Sequence, residues 1–115
     1  MISEHETFMR VALDEARQAL AAGEFPVGCV MTAANRIVAQ GRRQNSRAES
    51  RNEIDHAEIV TLRRLLAEQP QLDPGTVTVY TTLEPCLMCY TTMLLSGIRN
   101  FVWAYEDVMG GGANL

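Results

Sequence analysis

Apolar side chains recur at helical spacing from residue 4 to residue 22, at Phe8, Met9, Ala12, Leu13, Ala16, Ala19 and Leu20. That period predicts a helix with one apolar face. Ser3 with Glu6 fits a capping box, Glu6 and Arg10 can pair across one turn, and Gly23 closes the helix. The pattern then shortens. Val27 to Thr32 and Arg36 to Gln40 are apolar runs flanking a small-residue turn at Ala33 to Asn35, which predicts a β-hairpin. Gly41 to Asp55 is polar, arginine-rich and without period, and an unstructured loop of that length is usually functional. From His56, the positions Ile59, Val60, Leu62, Leu65 and Leu66 predict a second helix that stops before Pro70, with a turn at Asp73-Pro74-Gly75. Thr76 to Thr81 is a β-branched strand. Pro85 is expected to open a third helix running to a Gly97 cap, followed by a strand at Phe101 to Ala104.

Helices and strands in this order predict an α/β domain in which a mixed sheet is covered by helices on its faces. In such sheets, sites gather at strand ends, where helix N-termini point. No repeat, low-complexity tract or linker interrupts residues 1–115, so a single domain is expected, and the run Gly110-Gly111-Gly112 reads as a loop leading onward. With 47% hydrophobic and 21% charged residues the chain is too apolar to stay disordered. No run approaches the ~18 apolar residues of a membrane span, and no membrane association is expected. The first residues, Met1 to Glu6, carry acids and no basic stretch, so a cytoplasmic location is expected.

Ten basic against fourteen acidic residues give a net charge of −4, and all ten bases are arginine. This balance argues against binding nucleic acid by bulk electrostatics and favours a small-molecule substrate. Five of the arginines, Arg36, Arg42, Arg43, Arg47 and Arg51, nevertheless crowd into sixteen residues, which keeps a local phosphate contact open. Three cysteines in a reducing compartment point to metal or thiol chemistry rather than to disulfides.

Three soft-metal ligands stand at helix starts: His56 at the start of the second helix, Cys86 and Cys89 at the start of the third. C-x-x-C puts two sulfurs on one turn, and a helix N-terminus favours the thiolate that zinc needs. No fourth ligand is placed beside them by any sequence signal, since Cys29 lies mid-strand and His5 near the N-terminus. A zinc with three protein ligands keeps a position open for water, the mark of a catalytic site. Glu58 follows His56 by two residues, a spacing that on an ideal helix turns the side chains about 200° apart, so it is expected to serve as a general base and acid rather than as a ligand. Taken singly, each signal has a plainer explanation. Asp55 and Glu58 alone make a capping pair; C-x-x-C alone fits a redox pair, half of a structural zinc site or an iron–sulfur fragment. Jointly, H-x-E, thirty residues from His56 to Cys86, and P-C-x-x-C form the pattern of zinc-dependent base deaminases.

The segments Phe25-Pro26-Val27-Gly28, His56-Ala57-Glu58 and Thr82-Leu83-Glu84-Pro85-Cys86-Leu87-Met88-Cys89 resemble the cytidine deaminase-like superfamily, closest to its tRNA adenosine deaminase and guanine deaminase branches. The match runs from the first helix to the end of the chain. This resemblance implies a three-layer α/β/α fold with a five-stranded mixed sheet, one Zn2+ per subunit, a homodimer or tetramer with the homodimer favoured, and hydrolytic deamination of an aminopurine or aminopyrimidine. It implies that His56, Cys86 and Cys89 hold the zinc and that Glu58 shuttles protons. It further implies that Asn45, Ala57, Val27, Glu84, Pro85 and Asp107 meet the substrate: Asn45 by hydrogen bonding, the Ala57 amide at the ring, Val27 as a wall, and Asp107 near a flanking nucleotide. The favoured reaction is adenosine to inosine in tRNA. The alternatives are a guanine, cytosine, cytidine or deoxycytidylate deaminase acting on a small molecule, a structural-zinc binding module, and a thiol oxidoreductase. Tyr90-Thr91-Thr92 after Cys89 departs from the small residues usual in the tRNA branch, as does the acidic balance. The tRNA enzymes also continue beyond the position of Leu115, so the expectation is a fragment or a chain whose last elements are lost.

Overall fold

The computed structural model describes residues 3–47, 49–107 and 111–112. Helix α1 spans Glu4–Ala21, and its N-cap Ser3 accepts a hydrogen bond from the Glu6 amide at 3.1 Å. Gly23, at φ +80°, turns the chain out of the helix, as the sequence requires of a left-handed position. Strands β1 (Gly28–Ala33) and β2 (Arg36–Arg42) form the expected hairpin, with Ala34 and Asn35 both at positive φ in its two-residue turn. β2 extends two residues past its apolar run because Gly41 and Arg42 still pair with Cys29 and Gly28.

Helix α2 spans Ala57–Glu68 and strand β3 Thr78–Leu83. The predicted strand start at Thr76 is two residues early. Asp73 accepts from the Gly75 amide through its side chain and from Thr76 Oγ1 through its carbonyl, winding Pro74–Thr76 into a 3-10 turn that delays the strand. Helix α3 spans Leu87–Leu95 and strand β4 Asn100–Tyr105. Pro85 does not open α3, contrary to the sequence expectation. The extended residue Cys86 is the N-cap, so Pro85 sits one position outside.

The sheet order is β2-β1-β3-β4, with β1 antiparallel to both neighbours and β3 parallel to β4. The mixed sheet is therefore as expected, but among the described residues it has four strands, not the five implied by the resemblance, and β4 lies at its edge. Side chains alternate across it. Val30 and Tyr80 face α1 with Phe8 and Ala12, while Cys29, Met31 and Val79 face α2 and α3 with Ile59, Leu62, Cys89 and Met93. Helices on both faces explain why β1 is buried along its whole length. Each large side chain fully buried this way, such as Met31, Met93 or Ile98, contributes about 1.5 to 3 kcal/mol. Gly28 lets β1 touch α1 directly, since a Cβ there would lie 2.0 Å from the Ala12 carbonyl oxygen. Among the described residues no helix is long and apolar enough to cross a membrane.

Candidate metal centre and active site

The second and third helices begin at the same place. His56 is the N-cap of α2 and Cys86 the N-cap of α3, both with extended backbone, and Cys89 follows in the first turn of α3. His56 Nδ1 lies 3.7 Å from Cys86 Sγ and 3.4 Å from Cys89 Sγ. The ligand atoms of all three fall within 4.8 Å of one another. A tetrahedral zinc with Zn–N of about 2.0 to 2.1 Å and Zn–S of about 2.3 Å separates nitrogen from sulfur by about 3.6 Å. The observed separations bracket that value, so the donor set fits zinc in both chemistry and size.

The protonation of the sulfurs agrees. A hydrogen bond from Cys89, reinforced by His56, holds Cys86 down at about 5. The same bond, together with burial, pushes Cys89 far up. One sulfur of the pair is thus readily held as the thiolate, and binding a metal would expel the proton that the other keeps. Among the described residues no fourth His, Cys, Asp or Glu joins the cluster. Cys29 is fully buried in β1, where burial raises its thiol well above the usual range, and it stays outside the group. His5 bonds the Tyr80 hydroxyl at 2.7 Å on the α1 face of the sheet.

Glu58 is buried beside this cluster. Burial pushes its carboxyl up to about 7; the Cys86 sulfur acts in the same direction, and its own backbone amide, Cys89 and Arg43 act against it. The 200° argument from helical spacing does not govern it, because His56 has extended rather than helical geometry, so His56 and Glu58 line one cavity. The capping-pair explanation of Asp55 and Glu58 also fails. The helix starts one residue later than that pair requires, and Asp55 instead accepts from Asn45 Nδ2, Asn52 Nδ2 and Arg63 Nη1 at 2.7 to 2.9 Å.

The cavity has a volume of about 140 Å³ and is lined by Phe25, Val27, Arg43, His56, Ala57, Glu58, Leu83, Glu84, Cys86 and Asp107. An engineered cavity of roughly 150 Å³ holds one benzene ring, so the space suits a flat heterocycle with its substituents pointing to the opening. Of the expected substrate contacts, Val27, Ala57, Glu84 and Asp107 line it. Pro85 is fully buried and does not line it, and its carbonyl accepts from the Gly112 amide. Asn45 is exposed at φ +65°, and its amide nitrogen is committed to Asp55. Glu84 ties down the wall after β4: its Oε1 accepts from the Asp107 amide at 3.2 Å, and its own amide donates to the Tyr105 carbonyl. Gly110 of the glycine run lies outside the described residues, as do Met1 and Ile2. Spacing gave no sign of Phe25, Leu83 or Arg43 as lining residues: Leu83 reaches the cavity from the end of β3, and Phe25 and Arg43 from the loops flanking β1 and β2.

Residues 2–105 match the family model of the cytidine and deoxycytidylate deaminase zinc-binding region. The chain belongs to that family. This deaminase is 33% identical to a tRNA-specific adenosine deaminase of Streptococcus pyogenes, over 98% of the chain and 70% of the relative. It is 38% identical to tRNA-specific adenosine deaminase 2 of Danio rerio, over 96% of the chain and 53% of that protein. It thus spans between about half and 70% of the length of these relatives. A structure from work on A-to-I editing by tRNA:A34 deaminases superimposes with a TM-score of 0.87 at 31% identity, covering 97% of this chain and 85% of that one. Guanine deaminase from Bacillus subtilis superimposes with a TM-score of 0.77 at 28% identity, covering 89% and 64%. The fold is the α/β fold of these deaminases, and the family is a zinc-binding one.

Proposed function

We propose that this deaminase converts adenosine to inosine in tRNA by hydrolysis, releasing ammonia, with His56, Cys86 and Cys89 as zinc ligands and Glu58 as the proton carrier. The observation that carries this reading is the convergence of the three donors and a buried carboxylate on one cavity the size of a heterocycle. The relatives that are tRNA-specific adenosine deaminases favour the substrate. Zinc held by His56, Cys86 and Cys89 would supply Lewis acidity, making water nucleophilic at neutral pH.

Glu58 does the proton work. Its carboxylate takes a proton from the attacking water and gives it to a ring nitrogen, while the water oxygen bonds to the amino-bearing carbon; it then carries the second proton to the amine, which leaves as ammonia. Its burial, which raises the carboxyl, favours its holding a proton between the two transfers. Val27 and Phe25 offer apolar walls to the ring, and the Ala57 amide, Glu84 and Asp107 offer polar contacts to its edge. Asn45 and Pro85 act one step back, Asn45 through the loop held by Asp55 and Pro85 through the wall bonded to its carbonyl. The 115 residues work as one domain, the active form is a homodimer, and the enzyme is cytoplasmic.

Guanine is the second candidate, favoured by the likeness to the Bacillus subtilis enzyme. Zinc-loaded protein should form inosine in tRNA and release no ammonia from guanine, cytosine, cytidine or deoxycytidylate. Turnover of guanine with inert tRNA would select the second candidate, and inactivity on the whole panel would refute the enzyme.

A further inference from the structure

Arg43 brings to the wall of the cavity a guanidinium whose Nε has no partner among the described residues. It follows β2, its side chain is 14% exposed, and it lines the cavity with His56 and Glu58. Its Nη2 donates to Glu53 Oε2 at 2.5 Å, whereas its Nε is shielded from solvent and has no hydrogen-bond partner among the described residues. Nε and Nη2 form one edge of the guanidinium fork, the edge able to grip an oxyanion with two parallel hydrogen bonds. Glu53 bonds Nη2 and leaves Nε without an acceptor.

The pairing is lopsided. Glu53 is 71% exposed, and an ion pair with so exposed a partner is weak, whereas a buried N–H lacking an acceptor is costly. Neighbouring arginines are spent on the fold: Arg42 on Glu15 and Gln18, Arg63 on Asp55, Arg64 on the Gln40 carbonyl. The remaining acidic walls, Glu58, Glu84 and Asp107, are carboxylates. A guanidinium among them has to meet an acceptor, and an anionic tetrahedral group answers both its charge and its open edge.

We propose that Arg43 binds a phosphate of the substrate through Nε and Nη2, displacing Glu53 from that edge. The inference rests on the deaminase reading and narrows it: the substrate is a nucleotide unit carrying phosphate, in a polynucleotide or as a monomer, and not a free base.

The test is the affinity of zinc-loaded protein for an adenosine-containing RNA hairpin across a salt series. Arg43→Gln should weaken binding and lower the slope of log affinity against log salt by about 1. Glu53→Gln should do the opposite and tighten binding, since it removes the competing carboxylate. A purely scaffolding pair would make both substitutions act in the same direction, and that result, or an unchanged slope in Arg43→Gln, overturns the proposal. Zinc content and thermal melting of each variant report that the fold is kept, and Arg43→Lys, which keeps the charge and loses the fork, should fall between. Competition by adenosine and by adenosine monophosphate separates the phosphate sources: a monomer site makes the monophosphate the better competitor in the parent protein and not in Arg43→Gln, and a backbone site makes the two equal in both. If the hairpin binds with this dependence while no base is deaminated, the phosphate site stands and the chemistry falls; if bases are deaminated and the two variants behave alike, only the phosphate site falls.

Discussion

The amide nitrogen of Asn45 lies 2.9 Å from a carboxylate oxygen of Asp55, ten residues ahead of it and next in sequence to His56. Asn52 and Arg63 donate to the same carboxylate, so one buried acid closes the loop onto α2. Asp55→Ala should therefore destabilise the protein by about 0.5 to 1.5 kcal/mol, the net worth of a hydrogen bond whose donors, here the exposed Asn45 and Arg63, regain water, as measured by denaturant unfolding. Asp55 also shapes the acid limb. The Asn45 hydrogen bond, then Arg63, hold its carboxyl below the usual 3.8, so its contribution is complete above that value and is lost as the pH falls through the lower folded one. Asp55→Asn should flatten that part of the stability profile.

Glu58→Gln should reduce turnover by about 100- to 10,000-fold, the usual contribution of a general acid–base group. Zinc content should stay at one per chain, which ammonia release and metal analysis check together.

The same carboxyl sets a stability trend in chelator-treated protein. Its folded value of about 7 exceeds the usual 4.5, so between these two the native state holds the extra proton. Its contribution is present below 4.5 and declines as pH rises towards 7. The parent should lose melting temperature across that window relative to Glu58→Gln, and parallel curves would contradict the buried environment.

Cys86→Ser and Cys89→Ser should each lose zinc, whereas Cys29→Ser should retain it, because Cys29 lies outside the cluster. Affinity should fall as the medium is acidified, since the metal competes with the proton that one of the two sulfurs keeps. Competition with a chelator over a pH series measures both.

Gly111 packs against Glu84, and a Cβ there would lie 2.5 Å from the Glu84 carboxyl. Gly111→Ala should displace the wall that carries Asp107, raising KM several-fold while leaving zinc bound. Steady-state kinetics with tRNA separate this from a loss in kcat.

The helices and the hairpin were legible because their signals are local: the Ser3 cap, Gly23, the turn at Ala34 and Asn35, the apolar period of α2. The metal donors were legible because two are helix N-caps and the third lies one turn on. Register was less so, since the start of β3 depends on side-chain bonds of Asp73 that outcompete the β-branched run. The role of Glu58 is legible from its place two residues after His56 in the joint motif, whereas the ideal-helix angle between the two is not one that an N-cap residue obeys. The arginine-rich loop marks Arg43 only as one of five candidate phosphate contacts, and neither its place in the cavity wall nor the bonds of Asp55 is legible. Their partners, Glu53, Asn45 and Asn52, come from a loop whose closure no spacing encodes.

Because His56 and Cys86 are the starting residues of two different helices, the bite of the metal cage is the distance between those helix starts. That distance is set by the layer beneath, where Leu62 and Leu65 of α2 pack in one cluster with Cys89 and Met93 of α3. The hydrophobic interior thus works as a caliper for the ion, and repacking it far from any ligand is a way to retune metal grip without touching a donor atom.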